Sequence, residues 1–360
     1  SAASSLFLSL NLSTSTLFLP PPTHPTPFPL TLEQHAFQKT YGNPSELWTA
    51  VEAGNKEKEW YGEAVAYWDR QEASYDGVLG GHGHVSGADI RESRAFLRAA
   101  LGPERFDAAE AACGSGSSGA DPAHVLTAAD CGAGVGRVSE ELLLRVCSVV
   151  DLVEPSETMI EGARRRLLLS GADAKRTWKG EPGQFLRVGL QGFEPAEGRY
   201  DVIWVQWAML YLTDGEKKKT GWFFSLVLPP VLSLLLSFSA LTPSLLSLLA
   251  LTPPSFVHPR RRHLANTTSP NDVPIPDDAV SFLKRAHAAL RPGGVLVVKE
   301  NVCSSGFVVD DSDRSLTRSH AYMLGLFEKS NVEVSRHARQ RDLPKGLFGV
   351  RMYACVKKEA

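Results

Sequence analysis

The chain has 360 residues, enough for one large domain or two small ones. A net charge of −2 gives no electrostatic case for a nucleic-acid partner, and 43% hydrophobic with 22% charged residues is an ordinary globular composition. The five cysteines (Cys113, Cys131, Cys147, Cys303 and Cys355) form no C-x-x-C pair and no His/Cys cluster, which argues against a zinc site and for reduced thiols inside a cell.

Residues 1 to about 45 are rich in Ser, Leu, Thr and Pro, and the prolines from Pro20 to Pro29 forbid a continuous helix. They are predicted to be a disordered leader outside the chemistry. The scarcity of acids before Glu33 hints at a transit peptide, against which stand the lack of Arg and the single base Lys39. The chain also opens without Met, which points to processing or to an incomplete sequence. Residues 45–72 have helical spacing and carry Trp48, Trp60, Tyr61, Tyr67 and Trp68. Gly77, Gly80, Gly81 and Gly83 then punctuate a loop over 75–85 that would suit a lid closing over a ligand. Residues 89–101 read as an amphipathic helix with Phe96 and Leu97 inward, followed by a flexible linker over 114–119.

The stretch from Thr127 to Arg137 organises the rest of the chain. A buried strand over 125–129 feeds a turn with Gly132, Gly134 and Gly136, and residues 139–146 are spaced as a helix. Glycine lets the backbone turn sharply and approach a ligand closely, although G-x-G-x-G alone is looser than a dinucleotide fingerprint. A second strand over 148–153 ends in Glu154, about twenty residues on, where an acid can accept both hydroxyls of a ribose. Asp130 before the turn and the absence of a Gly-Lys-Ser/Thr phosphate loop favour S-adenosyl-L-methionine (AdoMet) over a nucleotide phosphate. Cys131 in this turn reads as a small buried residue.

A helix is expected over 156–169 and a third strand near 185–188, before Gly189-Leu190-Gln191. Residues 200–207 are apolar on both faces, as a central parallel strand should be, and deliver Gln206, Trp207 and Tyr211 to the carboxyl rim. The pattern then breaks: 222–250 is almost wholly Leu, Ser, Phe and Val, cut by Pro229, Pro230 and Pro243. Roughly 215–277 is therefore read as an insertion into one crossover, without a catalytic role and of intronic origin in the gene, rather than as a membrane span. A helix over 278–290, a turn over 291–294 and a fifth strand over 295–299 resume the fold and place Glu300 and Asn301 at the rim. Asp310, Asp311 and Asp313 make an acidic loop; a helix over 319–330 and a closing hairpin from 332–339 and 348–356 complete the chain.

Tyr67-Trp68, the run Asp76 to Gly81, Asp130 to Gly134, Gly189-Leu190-Gln191, Val205-Gln206-Trp207, Glu300-Asn301 and Val309 to Asp313 occur in an order that resembles the protein α-N-terminal methyltransferases. These enzymes methylate the free amino end of proteins beginning Xaa-Pro-Lys. The resemblance covers about 60–214 and 278–357. It implies an α/β fold, the Rossmann-like seven-stranded sheet of class I methyltransferases with an N-terminal helical cap, in one domain over 46–360 interrupted by the insertion. It further implies AdoMet contacts at Gly132, Gly134, Arg137, Glu154, Leu190, Gln191 and Gln206, with Glu154 standing where the family usually has aspartate. A peptide site would take Trp68, Leu79, Trp207, Asp310 and Ser315, with Asn301, Asp313 and Tyr211 beside the reacting amine. Tyr211 stands where the family has histidine, and a phenol with pKa near 10 is a poor base at neutral pH.

On this reading Asp313 takes the proton, Asn301 orients the amine, Asp310 and Ser315 hold a third-position Lys, and Trp68 stacks on the second-position Pro under Leu79. The expected partners are Xaa-Pro-Lys protein termini, with no nucleic acid, membrane or metal, for a monomer in the cytoplasm or nucleus. Two alternatives stay open: a small-molecule amine methyltransferase, and a catalytically weakened module that binds amino-terminal peptides. A nicotinamide dehydrogenase is disfavoured by the glycine spacing.

Overall fold

The computed structural model describes residues 46–48, 57–113, 125–169, 177–214 and 277–358. The predicted leader, the linker over 114–119 and all but the last residue of the predicted insertion lie outside the described residues. Nine strands are described: β1 (Thr127–Cys131), β2 (Val149–Val153), β3 (Glu181–Leu186), β4 (Tyr200–Gln206), β5 (Leu290–Val302), β6 (Phe307–Asp310), β7 (Ser315–Arg318), β8 (Arg336–Arg339) and β9 (Gly349–Val356). Seven of them form one sheet in the order β3-β2-β1-β4-β5-β9-β8, and β6-β7 make a separate hairpin. The first five are parallel, while β9 runs antiparallel to β5 and β8 to β9.

The period-two alternation of the strands builds a core on each face. Ala128, Val150, Leu152, Val202, Trp204, Val295, Val297, Met352 and Ala354 share one cluster. Against them pack Phe96 and Leu97 of α3 (Ser86–Leu101), Phe106 and Ala109 of α4 (Pro103–Ala112), and Ile160 and Ala163 of α6 (Glu157–Arg164). On the other face Ala129, Cys131, Ile203, Val205, Leu296, Val298, Tyr353 and Cys355 meet Phe282 and Leu283 of α7 (Asp278–Ala288) and Met323 and Phe327 of α8 (His320–Lys329). The N-terminal helices thus divide. While α3 and α4 are a layer of the sheet itself, α1 (Glu57–Asp69) and the short α2 (Tyr75–Val78) lie over the carboxyl ends of the strands.

Several boundaries differ from expectation, each for a physical reason. The glycine loop over 75–85 contains α2, capped by Ser74 Oγ accepting from Gly77 N, and a 3-10 turn at Gly83–Val85. The helix expected over 139–146 is α5 (Arg137–Glu141) followed by a 3-10 turn at Leu143–Arg145. β3 starts at Glu181, before the apolar residues that suggested a strand, because an edge strand needs little apolar character. Residues 291–294 are not a free turn but an irregularity within β5, where Gly293 takes φ 71° and the register to β4 shifts. The acidic stretch is not a loop throughout, since β6 and β7 pair Asp310 with Ser315. α4 escaped notice because only Phe106 and Ala109 are buried on it.

Candidate active site

The chain runs β1, β2, β3 outward and returns to β4 on the other side of β1, so the carboxyl ends of β1 and β4 open a crevice at a topological switch point. A pocket of about 1090 Å³, counted out to its solvent-open mouth, fills it. Its walls include Gly132, Gly134, Arg137, Glu154, Leu190, Gln191 and Gln206 from the sheet rim. Tyr61, Ala64, Val65 and Trp68 of the helix α1 and Val78 of α2 close it from above. The structure therefore brings together every residue expected at the cofactor.

The glycine turn is bare for a reason. Gly132 has φ 75°, and a Cβ there would stand 2.2 Å from the Ala208 Cβ. Gly132 N and Ala133 N both donate to Val153 O, which ties the turn to the end of β2. Glu154 accepts from Gly134 N at 3.0 Å and from Ser156 N at 2.9 Å, so the carboxylate is fixed at the cavity wall. Burial nevertheless pushes its pKa up to about 7. Asp130 lies behind the wall: it accepts from Ser139 Oγ at 2.7 Å, and burial raises its pKa to about 6. It steadies the start of α5. Leu190 and Gln191 sit on a 3-10 turn whose carbonyls accept from Arg285 of α7, a cation the sequence did not single out.

Arg137 and Gln206 are held by a carboxylate that sequence reasoning missed. Gln206 Nε2 donates to both oxygens of Asp89 and its Oε1 accepts from Trp204 Nε1, while Arg137 Nη2 pairs with Asp89 at 2.9 Å. Gln206 was expected as a cofactor contact; its side chain is turned to protein partners, though the residue lines the cavity.

A chain of three polar side chains runs from the cavity wall into the protein behind it. Trp68 Nε1–H donates to the Tyr211 hydroxyl at 2.8 Å, and that hydroxyl donates to Asp313 Oδ2 at 3.3 Å. Asp313 Oδ1 accepts from Ser315 N at 3.0 Å. Burial, then repulsion from Asp310, raises the Asp313 pKa to about 7. The phenol of Tyr211 is pushed well above its ordinary range, first by burial and then by Asp313. Tyr67, facing the same two acids, is raised as well, burial being the larger cause.

Tyr211 stands on a short 3-10 turn, Met209–Tyr211, held from several sides. Glu300 Oε1 accepts from Ala208 N and Met209 N. Arg318, buried against Asp214, donates to Met209 O and Leu212 O, and Trp60 Nε1 donates to Tyr211 O. Removing one partner of such a buried pair costs about 3–5 kcal/mol, so the perch is rigid. Glu300, Arg318 and Trp60 are functional in this sense; the sequence set Glu300 at the rim through the Glu300-Asn301 motif, whereas no local motif announces Arg318.

Trp207 turns the chain out of β4 with φ 52°, a conformation that is strained for a bulky residue. Its ring lines the main cavity and also a smaller one of about 350 Å³, whose walls are Leu79, His82, Val85, Asn301, Leu343, Leu347, Phe348 and Val350. Asn301 is buried, and its Nδ2 has no hydrogen-bond partner among the described residues. Leu79 and Asn301 thus face each other across the second cavity, while Trp68 and Tyr211 line the first. Asp310, Asp313 and Ser315 line neither cavity. Asp313 reaches the crevice through Tyr211, and Asp310 engages Ser312 with its Oδ1.

A sheet in this order, with a glycine turn and a ribose-competent acid at adjacent strand ends, defines a class I AdoMet-dependent methyltransferase. The residues fit that cofactor: an acid for a diol, the Arg137 cation for a carboxylate, and Pro155, Met159 and Leu190 as apolar walls for a purine. A family model described as AdoMet dependent proline di-methyltransferase matches residues 56–219 and 274–356, so the chain belongs to that family. Between the matched segments lie residues 220–273. The chain is 36% identical over 306 residues to alpha N-terminal protein methyltransferase 1 of Oryza sativa subsp. indica, covering 85% of this chain and 74% of that relative. It is 35% identical over 319 residues to the Arabidopsis thaliana protein of the same name, covering 88% and 87%. A SAM-dependent methyltransferase of known structure from Leishmania major is 28% identical with TM-score 0.59, covering 93% of this chain and 100% of that one.

Proposed function

We propose that this enzyme transfers methyl groups from AdoMet to the free α-amino group of proteins beginning Xaa-Pro-Lys, the substrates named in related proteins such as N-terminal Xaa-Pro-Lys N-methyltransferase 1 of Mus musculus, 29% identical over 304 residues. The observation that carries the reading is the Trp68–Tyr211–Asp313 chain, which sets a titratable acid directly behind the cofactor cavity. When bound, AdoMet supplies an electrophilic methyl group on sulfonium. An α-amino group titrates at about 7.7–8.0, so a useful fraction is neutral near pH 7 and alignment carries most of the rate.

The protein's part is to align that amine and take its proton. Asp313, near its midpoint at neutral pH, accepts a proton at Oδ2. The Tyr211 hydroxyl stands between: as its oxygen takes a proton from the amine, its own proton passes to Asp313, and no free phenolate forms. The Asn301 amide, with its Nδ2 unsatisfied in the smaller cavity, orients the substrate backbone from the other side of Trp207. Trp68 offers a ring face for the second-position proline, and Asp310 and Ser315 hold the third-position ammonium. A cytoplasmic or nuclear monomer suits this reading, and the five cysteines carry no disulfide.

The test is incubation with methyl-labelled AdoMet and a Ser-Pro-Lys peptide, beside the same peptide acetylated at its amino end. Label in the free peptide alone supports the proposal. Label in both points to side-chain or small-amine methylation, and label in neither favours the peptide-binding module that Tyr211, in place of histidine, would suggest.

A further inference from the structure

The α3 side of the crevice holds a cluster of buried charges. Asp89 and Lys299 are wholly buried and Arg137 nearly so, with the buried Asp130 close enough to interact with Arg137. The three elements involved are far apart in sequence. Asp89 is in the first turn of α3, Arg137 opens α5, and Lys299 lies near the end of β5 beside Gln206 of β4, its registered neighbour. Strand alternation turns both Gln206 and Lys299 toward α3.

Asp89 saturates its acceptors there. Lys299 Nζ and Gln206 Nε2 donate to Oδ1, while Arg137 Nη2 and the same Gln206 nitrogen donate to Oδ2. Lys299 completes its shell with Ser93 Oγ at 2.8 Å, one turn further along α3, and with Asp89 O. Arg137 Nη1 donates to Ser86 Oγ at 3.2 Å, and that hydroxyl donates to Glu141. Arg137 and Gln206 line the main cavity, whereas Asp89, Ser93 and Lys299 do not. The carboxylate at the centre of the network therefore lines no cavity, yet it fixes Arg137, which does, and ties back the side chain of Gln206 on the same wall.

We propose that Asp89 is a positioning residue for AdoMet: it holds Arg137 in the orientation the cofactor requires, keeps the Gln206 side chain drawn back from the cavity, and makes the N-terminal helix α3 a structural part of the cofactor site. Arg137, which lines the cavity, thereby keeps its guanidinium at the crevice wall, complementary to the cofactor's own carboxylate. Loading the cofactor and anchoring α3 are then linked, because each stabilises the same geometry of Arg137. The inference rests on the AdoMet site and not on the identity of the methyl acceptor.

AdoMet binding to the unmodified protein, measured by calorimetry without peptide, is the first control; its absence would reject the cofactor assignment itself. Asp89→Asn is expected to raise the AdoMet Kd about ten-fold or more while leaving the peptide KM at saturating AdoMet near its native value. Because Asp89→Asn also strands Lys299, the deciding variant is the double change Asp89→Asn with Lys299→Met, which removes that unpaired charge. The proposal predicts thermal stability near native but weak AdoMet binding in the double variant. Native Kd in the double variant would show that Asp89 merely neutralises Lys299 and would overturn it. Should neither variant fold, amide exchange in the unmodified protein decides: saturating AdoMet must slow exchange along Ser86–Leu101, and unchanged exchange there rejects the linkage.

Discussion

Asp313→Asn separates the chemistry of the site from its stability. Asn keeps the size of the side chain and, at Oδ1, the acceptor for the Ser315 amide; its Nδ2 then faces the Tyr211 hydroxyl, which must accept in place of donating, and the side chain cannot take a proton. An ordinary aspartate titrates near 3.8 and this one near 7. The difference is about three decades of proton affinity, or an upper limit of about 4 kcal/mol at 1.36 kcal/mol per decade. The sign is that of a raised carboxyl: the folded state binds the proton more tightly, so the group's contribution is fully present below pH 4 and is lost as pH rises through about 7. Urea unfolding of wild type and variant at closely spaced pH values should therefore show the variant gaining on wild type between pH 4 and 7, and keeping that gain at pH 8. In the same protein kcat/KM for the peptide should fall about 10²- to 10⁴-fold, the usual contribution of a positioned base, with AdoMet affinity nearly unchanged. At saturating AdoMet the acid limb of the wild-type profile should reflect two deprotonations, of Asp313 and of the amine, and that of the variant only one. A stability difference independent of pH, or an unchanged acid limb, would refute the assignment.

Tyr211→Phe removes the donor to Asp313 and leaves the Trp68 indole N–H without its acceptor, so kcat should drop and the acid limb should move to higher pH in a pH–rate series. Tyr211→His tests the departure from the family: higher turnover would mark the phenol as a weakened site, lower turnover would give it a task of its own. Glu154→Gln should weaken AdoMet by about 1.5–3 kcal/mol, the range for a hydrogen bond to a charged group, in a calorimetric titration. Since burial sets Glu154 near 7 and the ionised form accepts from a diol, wild-type Kd should tighten as pH rises from 6 to 8 and the Gln variant should lose that dependence. Gly132→Ala combines a positive φ with a 2.2 Å approach to Ala208 and should abolish AdoMet binding in the same titration.

Much of this architecture was legible where chemistry is local in the chain. The G-x-G-x-G turn, the acid ending the second strand and the doubly apolar 200–207 strand fixed the sheet and its cofactor rim, because backbone demands and two-sided burial leave direct marks on sequence. What escaped was long-range. Asp89 read as the first residue of an ordinary amphipathic helix, yet it meets Lys299 across 210 positions. Lys299 read as the end of a strand, and Arg318 drew no reading at all, because a buried cation betrays itself only through its partner. The acidic stretch was read as one site, but the hairpin divides it: Asp313 turns inward to Tyr211, whereas Asp311 pairs outward with Arg314. Leu79 and Asn301 were expected around the same substrate as Trp68, and the fold sets them in a second cavity joined to the first by Trp207.

The central claim is that an unblocked polypeptide start enters between the cofactor crevice and the Tyr211–Asp313 pair. A crystal structure with S-adenosylhomocysteine and a Ser-Pro-Lys peptide measures this directly. The account predicts the peptide's α-nitrogen within hydrogen-bonding distance of the Tyr211 hydroxyl or the Asp313 carboxylate, with the proline ring against Trp68 and the lysine toward Asp310. A peptide whose amino end points to solvent, or whose lysine ammonium occupies the place beside Tyr211, would contradict it.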